Sequence, residues 1–135
     1  MQLERPCPCG LPAPYDACCG RLHRGAALAV TAEELMRSRY AAHAVGGRTG
    51  ADHLFRTWHP RTRPDDTDPA DGLAWTGLEV HATADGGPDD ATGVVEFTAR
   101  WTAADGSVGA LHERSRFARR AGRWVYIDGD VDEAG

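Results

Sequence analysis

All four cysteines of this chain fall within its first twenty residues, as Cys7-Pro8-Cys9-Gly10 and then Cys18-Cys19-Gly20. A segment that short cannot bury a core of its own and takes its shape from a cross-link. A C-x-C pair followed eight residues later by a C-C pair puts four soft donors in one small loop, which suits a closed tetrahedral zinc site. Cys7 and Cys9 are two apart on an extended stretch and point the same way. Pro8 stiffens that clasp, while Gly10 and Gly20 permit tight reversals. The cluster predicts one Zn²⁺ held by Cys7, Cys9, Cys18 and Cys19, with His23 as the alternative to one sulfur. Paired disulfides fit less well, because no hydrophobic leader points to an oxidising compartment. A redox pair would call for C-x-x-C spacing, which is absent. The expected location is the cytoplasm.

The 135 residues allow one compact domain plus this small appendage. No apolar run approaches the roughly 20 residues that span a bilayer, which argues against membrane insertion. The formal net charge of -5 argues against a general nucleic-acid binder. Every basic residue is arginine, and with so much Ala, Gly and Asp this reads as genomic base bias.

Residues 1–24 read as the knuckle and 25–135 as the larger domain, with the two expected to separate. Thr31-Ala32-Glu33-Glu34 is a capping box, Thr31 at the N-cap and Glu34 reaching back. The helix it opens runs to about Ala44 with Leu35, Met36, Arg39, Tyr40 and His43 along one side, and Gly46-Gly47 end it. A second helix is predicted from Asp52 to Trp58, stopped by Pro60. An acidic, proline-broken loop carrying Asp65, Asp66, Asp68 and Asp71 follows, without calcium-loop spacing. From Leu73 the period becomes two: Leu78, Val80 and Ala82, then Val95 to Trp101, then Leu111 to Phe117, then Trp124 to Ile127. Helices followed by a four-strand meander spell an α+β fold with helices on one sheet face.

Several segments together carry a resemblance. Cys7-Pro8-Cys9-Gly10 with Cys18-Cys19-Gly20 resembles the SEC-C zinc motif, also found at the tail of the SecA translocation ATPase. Leu35-Met36-Arg37-Ser38-Arg39-Tyr40, Thr57-Trp58-His59-Pro60, Glu113-Arg114-Ser115-Arg116-Phe117 and Trp124-Val125-Tyr126-Ile127-Asp128-Gly129 resemble the YchJ-type family of uncharacterised bacterial proteins. The resemblance implies a domain like nuclear transport factor two (NTF2) and ketosteroid isomerase. That is a cone-shaped, cystatin-like curved antiparallel sheet wrapped around helices, leaving a pocket. Two departures stand out. The spacer Leu11 to Ala17 lacks the lysines usual in SEC-C loops. The acidic Asp128 to Glu133 also stands where some relatives have a second cysteine motif.

Within such a pocket, alternation sets Phe97, Trp101, Leu111, Glu113, Ser115 and Phe117 on one sheet face with Tyr126 or Ile127. Glu113 stands out, since a carboxylate on an apolar face needs a partner. Arg39 is the expected one, as a structural ion pair. Tyr40, Trp58, His59, Glu113 and Tyr126 are the candidate ligand-binding residues. The favoured reading is a zinc-binding interaction module, with a protein partner at the knuckle, a small molecule in the pocket, and a second copy of the chain as a further partner. The alternative is a ketosteroid-isomerase-like enzyme using Glu113 or Asp128 with His59 as acid and base. No nucleophile elbow, phosphate loop, dinucleotide fingerprint or zinc-protease helix is present.

Overall fold

The computed structural model describes residues 5–69 and 72–134, so Asp71 of the acidic loop lies outside the described residues. A bridge between Pro6 and Pro14 closes the first loop, and a 3-10 turn (Tyr15–Ala17) leads into helix α1 (Cys19–His23). Helices α2 (Ala32–Val45) and α3 (Gly47–Arg56) follow. Strands β1 (Leu73–Asp85), β2 (Thr92–Ala103), β3 (Val108–Arg120) and β4 (Arg123–Ala134) then form one antiparallel sheet in chain order. Helices on one face of a four-strand meander make this an α+β domain, as expected.

Local chemistry accounts for the helix ends. Thr31 Oγ1 accepts from the Glu34 N–H at 3.1 Å, and Glu34 Oε1 accepts from the Val30 N–H at 2.7 Å, one residue further back than a standard capping box. Gly46, at φ +67°, ends α2. Helix α3 starts at Gly47, five residues before the predicted Asp52, and ends before Trp58. The two helices touch just beyond that stop: a Cβ on Gly50 would strike the Ala42 carbonyl. Leu35, Met36 and Tyr40 of α2 pack onto Val95, Phe97, Phe117 and Trp124 of the sheet.

Register decides what faces the helices. A bulge between Trp75 and Gly77 reverses the phase of β1, so Trp75 packs inward along with Leu78 and Val80. A second irregularity after Val80 leaves Ala82 exposed, against the expected alternation. Between β3 and β4 the pairing shifts from Arg116↔Asp128 to Phe117↔Tyr126, leaving Ile127 unpaired. Without that bulge Tyr126 would lie on the outer face. Strand β4 also continues far past the predicted end at Ile127. Asp128, Asp130 and Asp132 pair with Arg116, Arg114 and His112 on the outer face, while Gly129 and Val131 oppose Ser115 and Glu113.

The knuckle packs against α2 and α3. Arg37 Nη1 donates to the Cys9 carbonyl at 2.8 Å, and Arg56 Nη2 donates to the His23 carbonyl at 2.9 Å. His23 Nε2–H donates to the Ser38 carbonyl at 2.8 Å, which leaves its Nδ1 to accept from the Tyr15 hydroxyl at 2.6 Å. Ser38 Oγ donates to the Leu35 carbonyl and accepts from His53 Nε2–H at 2.9 Å. Burial holds both imidazoles neutral, pushing His53 down to about 2 and His23 below its ordinary value.

Candidate metal centre and cavity

Cys7 and Cys9 flank Pro8 in the first loop, where the Cys7 N–H donates to the Ala13 carbonyl and Gly10, at φ +92°, turns the chain back. Cys18 follows the 3-10 turn and Cys19 opens α1. All four thiols are buried and unlinked by disulfides. Their sulfurs all lie within 4.8 Å of one another, and Cys9 and Cys18 are 3.7 Å apart. Four sulfurs at Zn–S bonds of roughly 2.3 Å would stand about 3.8 Å apart, so the cluster is sized for a tetrahedral ion.

The electrostatics of the cluster ask for a cation. Hydrogen bonding from Cys19, with smaller help from the Leu11 backbone, pulls Cys9 down to about 5. Burial, and contact with Cys7 and Cys9, push Cys18 up to about 12. Cys19 rises further, chiefly because its hydrogen is committed to Cys9. One thiolate therefore suppresses ionisation of its neighbours, and a divalent metal bound there would allow the others to deprotonate. The donor set fits a metal. Cys7, Cys9, Cys18 and Cys19 would hold it, and His23 would not, since both its ring nitrogens are engaged elsewhere.

A cavity of about 320 Å³ lies between α2 and the inner sheet face. Met36, Tyr40, Trp75, Phe97 and Phe117 give it apolar walls, and Arg39, Glu113, Ser115 and Tyr126 give it a polar patch. Glu113 Oε2 accepts from the Ser115 hydroxyl at 2.6 Å and from the Tyr126 hydroxyl at 2.9 Å. Burial, then the Glu113 charge, keep Tyr126 protonated well above the ordinary phenol range. Gly129 makes room for this carboxylate, because a Cβ there would collide with Glu113 Oε2. Arg39 is buried, and desolvation pulls it down to about 10, leaving it cationic at neutral pH. Its Nη1 donates to Thr57 Oγ1 at 2.7 Å and to the Leu54 carbonyl at 3.2 Å. The guanidinium carbon lies 4.8 Å from the Trp58 ring centre and 4.6 Å from that of Tyr126.

Residues 31–129 match the family model described as the YchJ middle NTF2-like domain. The chain belongs to the YchJ family. Its relatives include UPF0225 proteins of Streptomyces coelicolor, 54% identical over 93% of this chain and 94% of that one, and of Cupriavidus pinatubonensis, 49% identical over 93% and 88%. Among solved structures, the solution structure of a SEC-C motif protein from Rhodopseudomonas palustris matches with a TM-score of 0.80 at 33% identity, covering 93% of this chain and 98% of that one. The crystal structure of a SEC-C motif protein from Psychrobacter arcticus matches with a TM-score of 0.73 at 29% identity, covering 92% and 81%.

Four of the five pocket residues expected in this YchJ-family chain line one cavity: Tyr40, Trp58, Glu113 and Tyr126. His59 does not. Its N–H donates to the Tyr126 carbonyl and its Nδ1 accepts from the Arg61 N–H, so it shapes the turn that docks Trp58 on β4. Asp128 is on the outer face, paired with Arg116 at 2.6 Å. The structure therefore does not bring His59 together with either carboxylate. The expected ion pair between Arg39 and Glu113 is also not formed among the described residues, because two hydroxyl groups occupy the carboxylate instead. Sequence reading missed Trp75, hidden by the β1 bulge, and Gly129, whose value is the space it leaves. Met36 and His43 line the cavity too, and their helical spacing with Arg39 was the available signal.

Proposed function

We propose that this chain is a zinc-binding protein that acts as a binding module rather than an enzyme. In this reading Cys7, Cys9, Cys18 and Cys19 hold one Zn²⁺ in a knuckle of residues 1–24, and the domain of residues 25–135 takes a small molecule in its cavity. The observation that supports it best is the packing of four buried sulfurs within 4.8 Å of one another. Bound there, the metal supplies a cross-link and no Lewis-acid chemistry, since four thiolates leave no coordination position open. The cytoplasm, where thiols stay reduced, suits such a site. Leu11, exposed on the knuckle loop, offers a protein partner an apolar contact.

Elemental analysis of protein purified without chelator should give about one zinc per chain. Cobalt substituted for zinc should show the absorption of a tetrahedral all-sulfur site. Protein that stays metal-free when offered zinc, or forms a disulfide among these cysteines in a reducing buffer, would refute the metal assignment.

A further inference from the structure

We propose that the cavity binds a small amphipathic carboxylate that carries its own hydrogen-bond donor, such as a hydroxy or amino acid with a ring-sized apolar side chain. This rests on reading the cavity as a ligand site.

Arg39 supplies the first argument. It is a buried cation with no carboxylate in contact among the described residues. Both its protein acceptors are neutral and both are on Nη1. Its Nε and Nη2, the parallel edge that grips a carboxylate with two bonds, have no hydrogen-bond partner among the described residues, and Arg39 lines the cavity. A buried charge left in that condition is costly unless an anion completes it. Glu113 supplies the second. Both hydroxyl donors go to Oε2, and Oε1 receives none among the described residues. The same cavity therefore presents an open cationic fork and an open anionic oxygen that do not satisfy each other. A ligand bridging them needs an anion at one point and an N–H or O–H at the other.

Size and wall chemistry narrow the class. A volume of about 320 Å³ equals roughly ten water volumes at ~30 Å³ each, which suits about a dozen non-hydrogen atoms and excludes a sterol. Aromatic and thioether walls call for an apolar body. With one guanidinium and one carboxylate in the patch, a monoanion fits and a phosphate dianion does not.

Three probes test this on the metal-replete full chain by calorimetry and indole NMR: phenyllactate, hydrocinnamate, which lacks the hydroxyl, and hydrocinnamyl alcohol, which lacks the anion. Phenyllactate should bind at least about tenfold more tightly than the alcohol, with hydrocinnamate between them. Arg39→Gln should level the carboxylates with the alcohol. Should that variant fail to fold, Glu113→Gln still decides, because it should remove the advantage of phenyllactate over hydrocinnamate and leave hydrocinnamate unchanged. Equal affinity for the alcohol and phenyllactate would leave a ligand cavity standing but overturn the carboxylate class. No perturbation of Trp58 or Trp75 by any probe at millimolar concentration would overturn both.

Discussion

The knuckle and the cavity lean on different sides of the same helix and are built by contrary means. Ala41 of α2 packs on the cysteines and Arg37 holds the Cys9 carbonyl, while Met36, Arg39 and Tyr40 line the cavity. The thiols lie close together in the chain, so a single loop assembles them. The cavity's polar patch joins α2, β3, β4 and the Trp58 turn, and it exists only while a bulge turns Tyr126 inward. A metal can repair loose geometry around four soft donors by pulling them in. Nothing repairs a slipped strand, because a one-residue shift reverses every side chain. Damage to the knuckle should therefore appear as lost stability, and damage to the cavity as altered recognition.

Cys9→Ser presses that contrast hardest. Removing the most buried ligand should abolish metal retention and cost about 3 kcal/mol or more, read as a fall in Tm of roughly 10 °C. A variant that melts within a couple of degrees of the parent would break the comparison. The knuckle would then be a dispensable appendage, and residues 25–135 should fold alone.

Ser38→Ala strikes the seam between the regions. It leaves the buried His53 Nε2–H without an acceptor, at a cost of about 1–3 kcal/mol. The same imidazoles set a pH dependence. Their folded pKa values lie below the unfolded value, so under acid the unfolded chain takes up protons that the folded chain refuses. Stability should be intact above about pH 6.5 and fall below it, by ~1.4 kcal/mol per pH unit for His53 alone. Denaturant melts from pH 7 to 5.5 with zinc retained should show the slope, and His53→Gln should flatten it. A profile indifferent to that substitution would count against the buried neutral pair.

Gly129→Ala tests the cavity with little change in fold. The new methyl would push Glu113 from its seat, an overpacking strain of about 1 kcal/mol. Phenyllactate should lose its preference over hydrocinnamate while zinc content is unchanged. A retained preference would show that the carboxylate has another resting place. Arg116→Ala should do least, because its pairs with Asp128 and Asp130 are exposed. An unaltered Tm would confirm that the outer face contributes charge and little stability.

Much of this was legible because the deciding chemistry is local. Four clustered thiols, Thr31 before Glu34, and alternation in β2 and β3 each depend on residues a few positions apart. The misreadings share a different cause. Asp128, Asp130 and Asp132 looked like an acidic tail, yet in β4 they face arginines and a histidine brought alongside by β3. Gly46 and Gly47 ended α2 as expected, but nothing local showed that α3 would start at once at Gly47, where Gly50 permits the close approach of α2 and α3. Glu113 was expected on Arg39 because a carboxylate on an apolar face needs a partner. The hydroxyls of Ser115 and Tyr126 took the carboxylate because the strands place them within hydrogen-bond reach, and strand phase is invisible until bulges are counted.

The location of the thiols also fixes an order of events during synthesis. Cys19 leaves the ribosome after Ala13 and Tyr15 of its own loop but before the rest of the surface on which the cysteines pack. Ala41 of α2 comes next, and Leu78 of β1 packs beside it. At about 5–20 residues per second, Leu78 is made roughly 3–12 s after Cys19. For that interval the cysteines belong to a nascent chain whose packing around them is incomplete. An ion captured then would fold the knuckle first, and α2 would be laid down against a finished template.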